Sequence, residues 1–518
     1  MSARRRRSNS PYAVTVRRGA TPRGQAWGQA MDEVEKEPMR TKWRAEVSTS
    51  GYKLAIVCEK ERHLLQVLDR YVTITLSNQS HVDESVLSFL IHVREERSNV
   101  KDIAEWIGHP INAYHLVKRT AKDWLTVQQK INCNTCVPTI AAQEFYSSWN
   151  QTIDRQGVWT SSNDIMIAEK GLARLYETYA IDYKTLMSGT ILNVSTTPLT
   201  PADAISIALH LEKEPKITWI EKLLETEEIS DKESLLYDLA MAYHMVKKSQ
   251  KALDILTNLQ QTSTRPMKGI IRIVRQAAEK YVNAEPYESA FQENLEKVYR
   301  NLCQETSQLL VTTSLNIRRE ARHIASSAVR VECLAEEHNH MKPANVVARN
   351  GKSVPTYKTR TGESAGIDPS EEIAVKLDRR ITLLTGLDSV KSDNFEVVNY
   401  GLGGHYLWHF DALDVKNKKN IDRDYGLGDR IATWMFYLSD VQAGGATVFP
   451  RLNLRILPIK GTAVFWYNLL PSGERDDRSL HGSCPVLLGS KWITTKWILE
   501  HCQEFRKPCR INPMDEHL

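Results

Sequence analysis

The hydrophobic residues of this chain change their spacing near Val346, and that change limits the folds the chain can adopt more than any other feature. Before it, apolar residues recur at helical spacing, as in Leu64, Leu68 and Val72. After it, short runs rich in β-branched and aromatic residues alternate with Gly and Pro turns, which is typical of strands. The chain is therefore predicted to be a multidomain α+β protein with a C-terminal β domain.

The C-terminal runs predict the architecture of that domain. Short strands at this spacing favour a sandwich or jelly roll (a double-stranded β-helix), whose interior can hold a metal between two sheets. The strands are predicted at Arg430–Leu438, Ala446–Phe449, Gly461–Tyr467 and Lys491–Leu499.

The helical part divides into two patterns. Residues 46–160 read as long amphipathic helices, which pack on partner helices more often than they do chemistry. Residues 161–270 read as helix pairs, and small residues at Ala240 and Ala252 among large ones match the tetratricopeptide pattern. A plain helical hairpin is the alternative. Stacked helix pairs offer concave grooves that suit extended peptides.

These patterns predict five regions. The segment 271–345 starts helical and is then atypical, and the leader is Arg-rich and of low complexity, so it is predicted to be a solvated tail or a basic targeting segment. The regions are the leader 1–45, a helical domain 46–160, a tetratricopeptide-like domain 161–270, a helical linker 271–345 and the β domain 346–510.

Composition excludes little. A net charge of +5 over 518 residues does not by itself demand nucleic acid as a partner. No apolar run is long enough to span a membrane, and residues 1–30 show no apolar core of a secretory signal. Eight cysteines are too few for a disulfide scaffold. Cys133 and Cys136 form a C-x-x-C that suits a redox pair or half of a zinc site.

The candidate chemistry lies in the β domain. His409 and Asp411 can place an imidazole and a carboxylate on the same side of a strand end, and His481 can complete the face from a distant strand. Two His and one carboxylate with open positions suit non-haem Fe(II) oxygen chemistry. Lys491 supplies a cation where an acidic co-substrate needs one.

Several segments resemble one family, the collagen prolyl 4-hydroxylase α subunit. The similarity covers roughly residues 50–300 and 345–510, and the order of the domains agrees. The segments that carry it are Gly108–Tyr114 with Leu116–Trp124, Gly403–Asp411, Arg430–Pro450, Gly461–Asn468 and His481–Trp497.

The resemblance implies an iron- and 2-oxoglutarate-dependent dioxygenase that hydroxylates proline in collagen-like X-Pro-Gly sequences and uses ascorbate. Fe(II) ligands would be His409, Asp411 and His481. Lys491 would pair with the distal carboxylate of 2-oxoglutarate. By the same resemblance, the co-substrate contacts would be Tyr400 and Thr433, the residues near the peptide Tyr406, Arg430 and Trp497, and the disulfide Cys484 with Cys509.

The family also implies an assembly. The resemblance predicts self-association through residues 46–160, a protein disulfide isomerase as the β subunit of an α2β2 complex, and residence in the endoplasmic reticulum lumen. No nucleic acid and no membrane span are expected.

Some residues depart from the family pattern. Leu407 and Trp408 stand where the family commonly has Glu-Pro, and Leu499 stands where it commonly has a His. The segment from about Cys303 to Pro343 lacks a family cysteine and the opening of the catalytic domain. These departures leave two alternatives open, a non-catalytic peptide-binding or assembly subunit and an enzyme that hydroxylates a different residue.

Overall fold

The structure, a computed structural model, describes the helical regions and most of the β domain. The residues described all belong to one compact unit, Ala45–Leu518. The leader, Cys133, Cys136, Cys509 and residues 305–340 lie outside them. The described ranges are 47–98, 100–131, 139–153, 158–225, 229, 231–262, 268–281, 290–304, 341–347, 353–355, 358–413 and 428–508.

The first helical region is a bundle around a long first helix. Its apolar stripe, including Leu64, Leu68 and Val72, is buried as predicted. The buried carboxylate of Glu61 is paired with Arg97 and Arg119, so this core also contains an ionic network. The helices are α1 (Gly51–Ser77), α2 (Glu84–Arg97), α3 (Ile103–Gly108), α4 (Pro110–Lys118), a π-helical turn (Arg119–Asp123), α5 (Trp124–Ile131) and α6 (Ile140–Thr152).

A second set of helices follows. Ala240 and Ala252 are fully buried where the helices Lys232–Met245 and Ser249–Thr262 meet, so small side chains there let the two helices approach closely, as predicted. A short hairpin, β1 (Thr190–Ile191) with β2 (Val194–Ser195), separates two of the helices. The helices are α7 (Ser162–Tyr179), α8 (Tyr183–Met187), α9 (Pro201–Ala208), α10 (Lys213–Leu224), α11 (Lys232–Met245), α12 (Ser249–Thr262), α13 (Lys268–Tyr281) and α14 (Ala290–Gln304).

The β domain contains two large antiparallel sheets among the described residues. One has six strands in the order β14-β10-β17-β8-β7-β3, and the other has five in the order β13-β12-β15-β9-β6. The first sheet comprises β3 (Lys342–Pro343), β7 (Glu363–Gly366), β8 (Glu396–Tyr400), β10 (Arg430–Tyr437), β14 (Ala463–Tyr467) and β17 (Lys491–Leu499). The second comprises β6 (Arg360–Thr361), β9 (His405–His409), β12 (Thr447–Phe449), β13 (Leu454–Ile456) and β15 (His481–Ser483).

Strands were found at every run for which the sequence predicted one. Two further strand pairs are small, β4 (Asn345–Val347) with β5 (Ser353–Pro355) and β11 (Ala443–Gly444) with β16 (Val486–Leu488). Helix α15 (Glu372–Thr385) packs with apolar residues of the six-stranded sheet, including Trp434 and Phe436.

The two large sheets enclose a second apolar layer. Met435 and Val398 of the first sheet share a buried cluster with Ile456 of the second. A hydrogen bond from the Tyr437 hydroxyl to Thr447 Oγ1, 2.7 Å long, also joins the sheets. The predicted jelly-roll-type arrangement therefore places an interior between the sheets, and the polar residues of interest lie in it.

Helices also contact this domain directly. Lys53 of α1 forms a buried ion pair with Glu363 of β7. From α7, Arg174 donates to the carbonyl of Gly403 over 2.7 Å, and the Tyr179 hydroxyl donates to the carbonyl of Pro485. Through these contacts the helices and the sheets pack together within one compact unit.

Candidate metal and co-substrate site

Two neighbouring strands bring the predicted metal ligands together. His409 ends β9 and His481 begins β15, and the two are register partners in the antiparallel pair. Asp411 follows β9 by two residues and is buried. One ligand atom from each of the three residues lies within 4.8 Å of the others, so a single ion could bind all three.

Backbone carbonyls orient both imidazoles. Nδ1 of His409 lies 2.8 Å from the carbonyl oxygen of Leu407, and Nδ1 of His481 lies 2.8 Å from that of Ser479. A carbonyl only accepts, so each Nδ1 carries a proton, which leaves Nε2 as the nitrogen that can bind a metal. Both Nε2 atoms lie 3.6 Å from an oxygen of Asp411. Hydrogen bonds of this kind orient histidines that bind a metal through Nε2.

The charge states fit a divalent metal. Burial lowers the pKa of His481 to about 4 even though the Asp411 carboxylate opposes that shift, so its imidazole is neutral near pH 7. Burial alone would raise the pKa of Asp411, but the facing imidazoles of His481 and His409 hold it well below its usual range. The site thus offers two imidazole nitrogens and one carboxylate, the donor set that suits Fe(II).

A buried hydrogen-bond chain supports the carboxylate. Thr433 Oγ1 donates to Asp411 Oδ2 over 2.7 Å, and Asn468 Nδ2 donates to Thr433 Oγ1 over 2.8 Å. Both supporting residues are fully buried. Because the amide donates to the hydroxyl oxygen, the hydroxyl proton is directed at Asp411. Sequence reasoning identified Thr433 as a co-substrate contact, and it missed Asn468 although GTAVFWYN ends on that residue.

Lys491 is a buried lysine whose side chain reaches β15, the strand that begins with His481. It is 0% exposed, and its Nζ donates to Ser483 Oγ over 2.7 Å. Its Nζ lies 5.5 Å from the ring centre of Tyr400 and 5.6 Å from that of Tyr437. It forms no ion pair with an acidic residue in the part of the chain that the structure describes, and burial lowers its pKa to about 7. A carboxylate supplied by a ligand would complete this site.

Aromatic residues extend from the metal ligands. Tyr406 stacks on His409 with ring centres 3.6 Å apart, and Arg360 lies 4.7 Å from the Tyr406 ring centre. Arg360 also hydrogen-bonds to the hydroxyl of Tyr400, which is the register partner of Lys491. Sequence reasoning identified both tyrosines, but it did not identify Arg360, because only the fold brings that residue to them.

Arg430, which was predicted to lie near the peptide, is at the start of β10. Arg430 pairs with Asp393 over 3.0 Å and lies 4.0 Å from the ring centre of Trp497. Its register partner in β17 is Leu499, which is buried. The structure therefore brings Arg430 and Trp497 together, as the sequence predicted, and adds Asp393 as the partner of the guanidinium.

Comparison with known proteins identifies the family. The profile described as "Prolyl 4-Hydroxylase alpha-subunit, N-terminal region" matches residues 50–193, and that of the "2OG-Fe(II) oxygenase superfamily" matches residues 395–499. Prolyl 4-hydroxylase subunit alpha-1 of Gallus gallus is 31% identical over 473 residues, which is 80% of this chain and 89% of that protein. The chain belongs to the prolyl 4-hydroxylase alpha-subunit family.

Other relatives agree. Subunit alpha-1 of Homo sapiens is 30% identical over 80% of this chain and 87% of its own length. That of Caenorhabditis elegans is 28% identical over 91% of this chain and 92% of its own length. A solved viral collagen prolyl hydroxylase from Paramecium Bursaria Chlorella virus-1, in complex with 2OG, covers 34% of this chain and 90% of its own at 24% identity, with a TM-score of 0.27, and we draw nothing from that likeness.

Membership in this family explains why two histidines and one aspartate form the metal site. The chain is a 2-oxoglutarate-dependent dioxygenase, and its metal and co-substrate are Fe(II) and 2-oxoglutarate. Its residues fit that chemistry, since the three ligand side chains are preoriented and the fourth polar group, Lys491, has no acidic partner among the described residues. Iron with 2-oxoglutarate and dioxygen supplies an oxidising power that no side chain has.

The predicted disulfide is wrong in its pairing. Cys484 is bonded to Cys303 of α14, not to Cys509, which lies outside the described residues. The reason is that α14 packs on the five-stranded sheet beside β12, where Tyr299 and Leu302 share a cluster with both cysteines. The bond joins residues 181 positions apart and anchors the strand that follows His481. Cys58 and Cys502 are free thiols within the described residues.

Proposed function

We propose that this chain is the catalytic α subunit of a procollagen-proline 4-dioxygenase, which hydroxylates proline in X-Pro-Gly sequences. Two features of the β domain carry the proposal, the metal-ligand cluster and the buried Lys491. The His409–Asp411–His481 cluster is preoriented for one metal, and the buried Lys491 donates to Ser483, two residues after His481, without an acidic partner among the described residues. The named relatives are prolyl 4-hydroxylase subunits, which supplies the substrate residue.

In this proposal each group has one task. His409, Asp411 and His481 hold iron, and Lys491 binds the distal carboxylate of 2-oxoglutarate. Tyr400 and Thr433 complete the co-substrate side, the first through its contact with the ammonium and the second through Asp411. The residues proposed to face the peptide are Tyr406, Arg430 and Trp497.

The protein's own contribution is to position reactants and exclude water. Trp497 and Trp466 each have a buried indole N–H that has no hydrogen-bond partner within the described residues. The two residues are both register partners of Thr433, on opposite sides of it, so their side chains lie on the same face of the sheet as its hydroxyl. Unpartnered donors on that face suit the carbonyl or carboxylate oxygens of a bound ligand.

We further propose that the tetratricopeptide-like region 161–270 binds the proline-rich peptide. Support comes from a cavity of about 360 Å³ on α8, α9 and α10, which is large enough for a few side chains. It is lined by Tyr183, Met187, Pro201 and Leu223, with Lys184, Lys222 and Glu225 at its polar side. The aromatic and apolar part of this wall suits the packing of proline rings.

The assembly is also proposed. Residues 46–160 are proposed to join two copies of the chain, with protein disulfide isomerase as the β subunit of an α2β2 complex that works in the endoplasmic reticulum lumen with ascorbate. Exposed apolar residues of this region, Leu76, Ile91 and Ile140, support self-association. In the part of the chain that the structure describes, no helix has the length and hydropathy of a membrane span.

A non-catalytic peptide-binding subunit is the second candidate. It is favoured by Leu499, an apolar residue beside Arg430 where the family commonly places a His. Such a protein would bind the same peptides and produce no succinate.

One experiment separates the two candidates. The purified chain with its partner receives Fe(II), ascorbate, 2-oxoglutarate and a repeating Pro-Pro-Gly peptide, and hydroxyproline and succinate are both quantified. The proposal predicts equal amounts of the two products, and neither with a Pro-Ala-Gly control peptide. Peptide binding without succinate would establish the non-catalytic subunit. Succinate formed equally with the control peptide would point to a different hydroxylated residue.

A further inference from the structure

The turn that precedes Lys491 is held by the N-terminal helices. Gly489 has a φ of +101°, and it leads through Ser490 into the first residue of β17. The amide N–H of Gly489 donates to the carbonyl of Gly108 over 2.9 Å. Gly108 ends α3 within the Gly108–Tyr114 segment that carries the N-terminal resemblance. A segment far from the metal ligands in the sequence therefore contacts the turn just before Lys491, the residue proposed to bind 2-oxoglutarate.

The approach leaves little room for a side chain. A Cβ atom on Gly108 would lie 3.1 Å from Cα and 3.3 Å from N of Gly489, so the turn would have to shift by a few tenths of an ångström. A Cβ on Gly51, the first residue of α1, would lie 2.7 Å from Ser490 Oγ. Gly108 does not have a positive φ, so space and not backbone conformation disfavours a side chain there. Close-packed backbone of this kind transmits a displacement of a few tenths of an ångström.

A second contact binds the same turn from the side. Asn399 of β8 is fully buried and joins the helical region to the turn. Its Oδ1 accepts from Ser50 Oγ over 2.9 Å, and its Nδ2 donates to Ser490 Oγ over 3.0 Å and to the carbonyl of Lys491 over 3.4 Å. The N–H of Gly401, just after β8, donates to the carbonyl of Thr49 over 3.0 Å. The backbone of Lys491 is thus linked, through Asn399 of β8, to Ser50 at the start of the helical region.

We propose that the N-terminal helical region positions Lys491 for 2-oxoglutarate, and that Gly108 is the principal positioning residue. The inference rests on the proposed pairing of Lys491 with the co-substrate. An ammonium at the end of a buried side chain can reach a ligand carboxylate only from a defined backbone position, because the surrounding packing leaves it few rotamers. Gly108 touches neither the co-substrate nor the metal ligands, so it acts through the Gly489–Ser490 turn.

The test compares two Gly→Ala substitutions in helices of the full chain, purified with its β partner. Gly108→Ala adds a methyl group against the turn, whereas Gly269→Ala, in α13, adds one where nothing lies within 4 Å. Gly108→Ala should raise the half-saturating 2-oxoglutarate concentration by about three- to tenfold, as a sub-ångström misplacement would. The half-saturating peptide concentration should change by less than about twofold, and so should the rate at saturating 2-oxoglutarate. Gly269→Ala should leave all these values unchanged.

Combination with Lys491→Ala shows whether the effect passes through Lys491. If it does, Gly108→Ala should add almost nothing once the ammonium is gone, whereas independent effects would multiply. Should Gly108→Ala fail to fold, Ser50→Ala takes its place, because it adds no atoms and removes the hydrogen bond to Asn399 together with the N-cap bond from Lys53 N.

Each outcome has one meaning. Wild-type half-saturation in Gly108→Ala, or in Ser50→Ala where the first variant does not fold, overturns the inference and leaves the co-substrate role of Lys491 intact. Effects of Gly108→Ala and Lys491→Ala that multiply also overturn it. If Lys491→Ala alone leaves half-saturation unchanged, the proposed pairing fails and the inference fails with it.

Discussion

The depressed pKa of Lys491 should make the binding of 2-oxoglutarate depend on pH. Burial lowers that pKa from 10.5 to about 7, and the side chain is 0% exposed. A carboxylate pairs only with the charged ammonium, so above about pH 7 the site must take up a proton when the co-substrate binds. The sign follows directly. Affinity should be level below about pH 7 and should fall as the pH rises above it.

The magnitude follows from the cost of protonation. Each pH unit above the pKa costs about 1.4 kcal/mol, which is a tenfold change in affinity. Half-saturation should therefore rise by up to about 100-fold between about pH 7 and about pH 9. Lys491→Arg is the matched control, because a guanidinium stays charged throughout this range. Its half-saturation should exceed the wild-type value near pH 7, since the head group is longer and planar, but it should stay level with pH.

The assay is the rate of 2-oxoglutarate decarboxylation against its concentration, at saturating Fe(II) and peptide, for wild type, Lys491→Arg and Lys491→Ala. Lys491→Ala should lose about 2–4 kcal/mol of co-substrate binding, as a charge-assisted pair would. Its iron affinity should barely change, because Lys491 is not a ligand. A wild-type pH profile that is parallel to that of Lys491→Arg would refute the protonation argument. Equal half-saturation in all three proteins would refute the assignment of Lys491 itself.

Three further predictions concern the metal support, the disulfide and the assembly. Thr433→Val removes the hydroxyl that donates to Asp411 and should weaken Co(II) binding by about 10- to 100-fold, whereas Thr433→Ser should retain most of the affinity. Equal Co(II) affinities for wild type, Thr433→Val and Thr433→Ser would show that the hydroxyl does not support Asp411. Cys303→Ser should lower the free energy of unfolding by about 2–5 kcal/mol in oxidising buffer, measured by denaturant titration, and Cys502→Ser should not; an unchanged midpoint for the first variant would argue against the Cys303–Cys484 bond. Light scattering of the purified complex should give a particle with two copies of this chain, and a particle with one copy would contradict self-association through residues 46–160.

Sequence patterns were sufficient wherever local spacing determines structure. The stripe of α1 and the strands of the β domain were predicted because periods of 3.6 and 2 residues report which face is buried. The metal ligands were predicted because His409 and Asp411 lie two residues apart and the ligand type is specific. Lys491 was predicted from the resemblance and from its charge, since an acidic co-substrate needs a cation.

The rest depended on contacts between distant segments, which spacing does not encode. Cys484 had several possible partners, and the packing of α14 on the second sheet selects Cys303. Asn468 is recognised as a support of Asp411 only once Thr433 is seen between them. Gly108 was noted only as part of the Gly108–Tyr114 segment, because its close contact with Gly489, in another part of the chain, is visible only in the fold.

The central claim is that one iron held by three residues drives proline hydroxylation. The most direct test is iron-dependent turnover of the peptide by His481→Ala beside wild type, with His501→Ala, an exposed histidine, as the control. Iron content is measured on the same samples. The account predicts that His481→Ala loses both bound iron and hydroxyproline formation, while His501→Ala keeps both. Undiminished, iron-dependent hydroxylation by His481→Ala would contradict it.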